Sequence, residues 1–241
     1  MTVNLQKEKD WSGGYNMGIG KLIVVEGACD GIGKTTQYEL LSKRLHSEGK
    51  TIANHHFPSY GTYQGAPVEK YLKGEYGQLS ELSAFFINSL YAIDRGITWY
   101  ADLKPLYDQG AIILLDRYTT SSLIYQSALI DDTREKERFI DYVIDFEYNK
   151  IGMKEPDNVI FLHAPFDLVT EMRNARKENE GVENDIHESD LNYMKKVYES
   201  AMFVADYLSW DKVQCNDGNE MRSIDDIHEE VYSLVKKKER F

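Results

Sequence analysis

Residues 26–37 read EGACDGIGKTTQ, and the second half of that stretch has the make-up of a phosphate-binding loop. Such a loop surrounds phosphates with backbone N–H groups at a helix N-terminus, where the helix dipole also favours anions. Here the amides would be those of Gly31, Ile32, Gly33, Lys34, Thr35 and Thr36. The Lys34 ammonium would offset charge on β- and γ-phosphate oxygens, and the Thr35 hydroxyl would face Mg²⁺. The count is unusual. The common spacing puts four residues between the two glycines, whereas Gly27 and Gly33 are separated by five, which leaves Ala28 at the first-glycine position. Ala28 can serve there only in a backbone conformation open to a side chain.

A second chemical pair is Asp116-Arg117, which closes the apolar run AIILLD (111–116). A carboxylate at a strand tip beside a phosphate loop can hold Mg²⁺, and the adjacent guanidinium can span phosphate oxygens bidentately. Elsewhere an Asp-Arg pair would read as a structural salt bridge. Its place at a strand end favours the chemical role.

These groups must be positioned by a frame. Five apolar runs read as buried strands: KLIVVEG (21–27), TIANHHF (51–57), AIILLD (111–116), NVIFLHA (158–164) and KVQC (212–215). Stretches of helical period separate them, which predicts an α/β fold with a doubly wound five-stranded parallel sheet flanked by helices. Ligands of such sheets bind beyond the carboxyl ends of the strands, where the glycine loop, Phe57-Pro58 and Asp116-Arg117 all fall. A helix is predicted over 80–98. By angle, Leu82, Phe86, Leu90, Ile93 and Ile97 form one apolar stripe, expected to face the core. Tyr91 and Arg95 lie on the opposite face and point the same way, either into a cleft or into solvent.

The 241 residues suit one large domain. Residues 1–19 are polar and aperiodic and read as a loose arm, or as an upstream start before Met17; 20–241 read as a single domain. A net charge of −12 argues against a nucleic-acid coat or an anionic membrane as partner, though a nucleotide pocket needs only a few convergent cations. Cys29 and Cys215 are too few for a disulfide framework and fit a reducing cytoplasm. No apolar run approaches the roughly 18 residues of a membrane span. His187 and the His55-His56 pair lack metal-site spacing and read as ordinary surface or packing residues.

Taken in order, EGACDGIGKTTQ, FPSYG (57–61), the Tyr91…Asp94-Arg95 helix face, DRYTTSSLIYQ (116–126) and SIDDIHEEVYSLV (223–235) resemble the thymidylate kinase family, in the variety found in clostridia-like bacteria. The resemblance runs from about Gly20 to the C-terminus. It implies a P-loop NTPase-type sheet, and transfer of the ATP γ-phosphoryl to dTMP, with Mg²⁺ and without a covalent intermediate. A cytoplasmic homodimer is implied too. Position by position, it implies that Asp30 approaches the 3′-hydroxyl and phosphate region of the acceptor and that Phe57 and Pro58 line the acceptor site. Tyr91 would stack on thymine, and Arg95 would contact base or phosphate. Asp116 and Arg117 would sit near metal and acceptor phosphate, Ser121, Ser122 and Gln126 around the base edge, and Tyr125 against C2′, excluding ribonucleotides. Members of this family take a donor-side arginine from the loop or from a mobile lid. This loop has none, so the lid near 173–188 should supply it, with Arg176 first, Arg173 second and Lys177 beside them.

Within the loop, family members place one residue between EG and DG; this chain places Ala28 and Cys29 there. Spacing from Asp30 to Thr35 is kept, so the donor half is expected to be intact and the reach of Asp30 to be the part affected. Cys29, among amide dipoles, is a candidate for oxidation that blocks nucleotide binding. Two other functions compete with dTMP phosphorylation: a kinase of another deoxynucleoside monophosphate such as dUMP, and a degenerate loop protein that binds nucleotide without turnover.

Overall fold

Leucine, isoleucine and valine fill both faces of the runs 21–27, 111–116 and 158–164, so each becomes a strand covered on two sides, while the runs 51–57 and 212–215 bury only some of their residues and become edges. The computed structural model describes residues 20–28, 31–171 and 191–239. In it β1 (Lys21–Gly27), β2 (Ile52–His56), β3 (Ile112–Asp116), β4 (Asn158–His163) and β5 (Asp211–Gln214) are all parallel, in the order β2-β3-β1-β4-β5. A hairpin of β6 (Asn216–Asp217) and β7 (Glu220–Met221) follows. The predicted strands and the expected fold class are thus found, with ends moved by a residue or so.

Side chains of β1 alternate between two cores. Ile23 and Val25 join Leu41 and Leu45 of α1 (Lys34–Ser47) and Val231 and Val235 of the C-terminal helix. Leu22 and Val24 join Trp99, Leu103 and Tyr118 on the other face. The remaining helices are α2 (Ala66–Leu72), α3 (Ala84–Thr98), α4 (Lys104–Asp108), α5 (Thr119–Tyr125), α6 (Thr133–Ile144), α7 (166–171, as far as described), α8 (Leu191–Tyr207) and α9 (Ile224–Glu239). A π-helical turn, Trp99–Leu103, joins α3 to α4, and another, Asp145–Lys150, extends α6. From β1 the chain crosses to the β2 edge, and after β3 it crosses to the β4 side. The switch point therefore lies between the tips of β1 and β3.

The helix predicted over 80–98 needs two corrections. Residues Leu79–Glu81 form a separate 3₁₀ turn, and α3 starts only after Ser83, whose hydroxyl caps it by accepting the Phe86 N–H at 3.2 Å. Leu82 therefore lies outside the helix. The apolar stripe is only partly turned to the core: Leu90 is buried with Val68, Tyr71 and Ile87, whereas Phe86 is 41% and Ile93 50% exposed. The buried face of α3 runs from Leu90 through Asp94, Ile87 and Thr98 to Arg95 and Asn88. The helix is rotated from the expected setting, because hydrogen-bonding partners from the loop after β2, from α5 and from the turn after α6 hold its polar face inside.

Candidate active site

At the tip of β1, the Ala28 N–H still bonds the Leu162 carbonyl at 2.9 Å, so pairing with β4 runs one residue past the strand. Among described non-glycine residues only Arg117 and Ser209 have positive φ. Ala28 thus keeps a conformation open to its Cβ, as its position requires. Cys29 and Asp30 lie outside the described residues, as do residues 1–19 and the whole of the expected lid near 173–188, with Arg173, Arg176, Lys177 and His187.

Gly31 (φ 98°) and Gly33 (φ 92°) occupy the left-handed region that favours glycine. Gly33 is the N-cap of α1 and has no side-chain cap, so amides of the first turn are open to an anion. Lys34 is buried there, and Thr35 and Thr36 are exposed.

At the tip of β3, Asp116 is buried. His56 Nδ1 lies 3.0 Å from its Oδ2, while Oδ1 has no partner. Burial alone would raise this carboxyl. The hydrogen bond from His56 and the charges of Lys34 and Arg117 outweigh it and hold the group below its usual range. A buried, ionised, unpartnered oxygen beside Lys34 suits a hard cation such as Mg²⁺, so the residues fit that metal.

Arg117 has φ 67°, an uncommon conformation for a large side chain of the kind found at functional sites. Its guanidinium stands over the Tyr125 ring at 5.3 Å and 4.0 Å from Glu26 Oε1. Glu26 is fully buried and accepts hydrogen bonds from Thr120 (2.8 Å) and Ser121 (2.6 Å). The Ser121 hydroxyl proton is therefore committed to Glu26, and toward a base Ser121 has only a lone pair to offer.

Between the tips of β2 and β3 opens a cleft of about 280 Å³. All nine residues expected around the acceptor line it: Phe57, Pro58, Tyr91, Arg95, Arg117, Ser121, Ser122, Tyr125 and Gln126. His56, Tyr60, Leu72 and Tyr118 line it too and were not singled out from the sequence. The His55-His56 pair was read as surface or packing residues, whereas His56 lines the cleft and meets Asp116; Tyr60 stood inside the FPSYG motif, and Leu72 carried no signal. The wall after β2 is fixed by a cis Phe57-Pro58 bond and by Asp94, whose Oδ2 accepts the Ser59 N–H at 2.8 Å. Burial raises the Asp94 carboxyl above its usual range despite that bond. His55 Nε2 lies 2.9 Å from Ser59 Oγ, and burial pushes this imidazole down to about 4.

Deeper in, the Tyr91 ring meets Tyr71 edge-on at 6.2 Å. Arg95 is almost wholly buried, which removes the solvent-exposed alternative for this pair. Its guanidinium is held by Glu147, a buried carboxylate the sequence did not flag, and burial's lowering of the Arg95 pKa is overcome by that charge. Gln126 is buried, with its Oε1 unpartnered. The site thus joins an anion cradle, a carboxylate with a spare oxygen, a guanidinium at the cleft mouth, and an aromatic slot ending in hydrogen-bonding groups.

A family model described as thymidylate kinase matches residues 25–231. Among curated proteins, the chain is 29% identical to thymidylate kinase of Exiguobacterium sibiricum over 226 residues, covering 92% of this chain and 98% of that one. It is 29% identical to thymidylate kinase of Mycobacterium tuberculosis over 177 residues, covering 73% and 81%. Among solved structures, thymidylate kinase from Candida albicans superposes with a TM-score of 0.70 at 21% identity, covering 91% of this chain and 92% of that one, a likeness of fold.

Proposed function

The chain belongs to the thymidylate kinase family and phosphorylates dTMP to dTDP, and from that premise we propose how its residues divide the work. ATP, the phosphate donor of this family, seats its phosphates on the open amides of α1, with Lys34 against the β- and γ-oxygens. The acceptor dTMP enters the cleft base first. Tyr91 stacks on the ring, Arg95, Ser122 and Gln126 meet its edge, Phe57 and Pro58 form the wall, and Tyr125 crowds C2′. Arg117, at the mouth, takes the acceptor phosphate. Asp30 approaches the 3′ side, and Arg176 is the lid's donor-side cation.

In the transfer, an oxygen of the dTMP phosphate bonds to the γ-phosphorus as the bond to the β–γ bridging oxygen breaks. The chain's contribution is alignment and charge: Lys34, Arg117 and the loop amides hold the two phosphates in line and absorb negative charge in the transition state. Mg²⁺ would offset the negative charge of the donor phosphates; Asp116, through its unpartnered Oδ1, and Thr35 are the residues that would hold it.

The observation that carries this division is the convergence of the nine acceptor residues on one cleft opening beside Lys34 and Asp116. The exposed apolar stripe of α3, Phe86 and Ile93 with half-buried Ile97, supports a homodimer built on that face. No helix among the described residues is long and apolar enough to cross a membrane, and a cytoplasmic enzyme also suits the buried free thiol of Cys215. The test is ADP release with Mg-ATP and, separately, dTMP, dUMP, dCMP and thymidine. Turnover well above the rest with dTMP is expected. Nucleotide binding without turnover would support the degenerate reading instead.

A further inference from the structure

We infer that Glu147 is a positioning residue for Arg95, the arginine already placed at the acceptor base: it cancels the guanidinium's charge and fixes its plane. This rests on the cleft being the dTMP site. Glu147 is fully buried in the π turn that extends α6. Its two oxygens take two donors of one guanidinium: Oε2 accepts from Arg95 Nε at 2.8 Å and Oε1 from Nη2 at 2.5 Å. Thr119 Oγ1 holds the same carboxylate by donating to Oε2 at 2.7 Å. The other side of Arg95 Nη2 faces Ser122 Oγ at 2.9 Å and Asn88 Oδ1 at 3.3 Å.

A guanidinium has five N–H donors. Nε and Nη2 account for three, all directed at protein acceptors. Nη1 carries the other two, and among the described residues its one protein bond is long, 3.5 Å, to the Tyr118 carbonyl. Nη1 is thus the end that can serve a ligand in the cleft that Arg95 lines. The pair as a whole is neutral, so it offers a phosphate little Coulombic attraction; Arg117, at the mouth, meets its own carboxylate, Glu26, at the longer distance of 4.0 Å and is the cation assigned to the phosphate. What a fixed, charge-neutralised N–H pair recognises well is a neutral carbonyl oxygen. A 4-keto pyrimidine presents one. Cytosine presents an amino group there, a donor facing a donor, which the rigid geometry penalises.

The test uses the intact chain with Glu147→Gln, Glu147→Asp and Arg95→Met, measuring kcat and KM for dTMP and dCMP together with Tm. Glu147→Gln is expected to raise the dTMP KM at least tenfold, to lower kcat by less than KM rises, and to shrink the dTMP-over-dCMP preference by a similar factor. Glu147→Asp should recover part of both. If Arg95→Met leaves the dTMP KM at the starting value, the cleft is not the acceptor site and the reading beneath the inference fails. If Arg95→Met raises KM but Glu147→Gln changes neither KM nor preference, the Glu147 role alone is overturned. A fall in Tm and kcat with the preference intact would also overturn it, as a purely structural role. Should the single Glu147 variants not fold, the paired replacement Arg95→Met with Glu147→Met removes both charges, an exchange that buried ion pairs often tolerate. Its dTMP KM should equal that of Arg95→Met; a further rise would refute action through Arg95.

Discussion

Two glycines near the site are required for different physical reasons, and substitution separates them. Gly33 has φ 92°, yet an added Cβ would meet nothing within 4 Å. Its constraint is conformational. Gly65 has φ −79°, open to any residue, but its Cβ would stand 2.2 Å from the Ser59 carbonyl oxygen. Its constraint is space. Ser59 cannot yield freely, because its N–H is held by Asp94 and its carbonyl accepts the Thr62 hydroxyl at 2.6 Å. An L-side chain in the left-handed region costs about 1–2 kcal/mol, and asparagine tolerates that region better than alanine. Forcing a Cβ into backbone costs about 3 kcal/mol. At about 2–4 °C per kcal/mol for a chain of this size, Gly33→Ala should lower Tm by about 2–8 °C and Gly65→Ala by about 6–12 °C. Asparagine is the discriminating substitution. It should recover roughly half the loss at position 33 and nothing at 65, since it carries the same Cβ. Calorimetry gives the four Tm values, and the ADP-release assay should show the dTMP KM rising for Gly65→Ala as the Pro58 wall shifts. Equal Tm for Gly33→Asn and Gly33→Ala, or a milder effect at 65 than at 33, would refute the assignment of causes.

Lys34→Met should reduce kcat by about 100-fold or more with little change in Tm, since the lost ammonium acts on charge developing in transfer; an unchanged kcat in the ADP-release assay would remove Lys34 from the chemistry. The His55 imidazole is lowered from 6.5 to about 4 in the fold, so the unfolded chain binds the extra proton first. Its stabilising contribution is whole above pH 6.5 and lost as pH falls toward 4. Discounted for partial exposure, the loss should be about 1–2 kcal/mol in urea titrations, and His55→Gln should flatten it. Ile93→Glu should convert a dimer to a monomer in sedimentation velocity; a parent chain that sediments as a monomer would sink the α3 interface instead. Burial pushes the Cys215 thiol up to about 12, so peptide mapping should find it unlabelled by iodoacetamide until the chain is unfolded.

The three central strands were legible because parallel strands buried on both faces leave uninterrupted apolar runs, and the acceptor cleft because its motifs sit at strand tips. The direction of α3 was not. Angular periodicity locates an apolar stripe but does not say what covers it, and here Asp94, Arg95 and Thr98 find partners inside. Glu147 escaped notice for a related reason. It lies in a π turn, where an extra residue per turn shifts side chains off the α-helical angle, within an acidic stretch that resembles a solvated surface. Tyr60 and Leu72 reach the cleft through a loop and a short helix, where tertiary packing alone decides direction.

The strand order has a consequence for how the chain is made. β1 is central, but its partners are β3 and β4; Leu22 is paired with Ile113, and Val25 with Ile160. A ribosome delivering the chain from its N-terminus therefore releases KLIVVEG long before any strand exists to receive it. Until residue 116 has emerged, that segment is an unpaired, strongly β-prone edge, the kind of surface that chaperones recognise and that aggregates when crowded. The phosphate loop at its end cannot be held in place before then either. Nucleotide binding should thus appear late in synthesis and all at once, and the long-range closure that creates the site should also make folding slow.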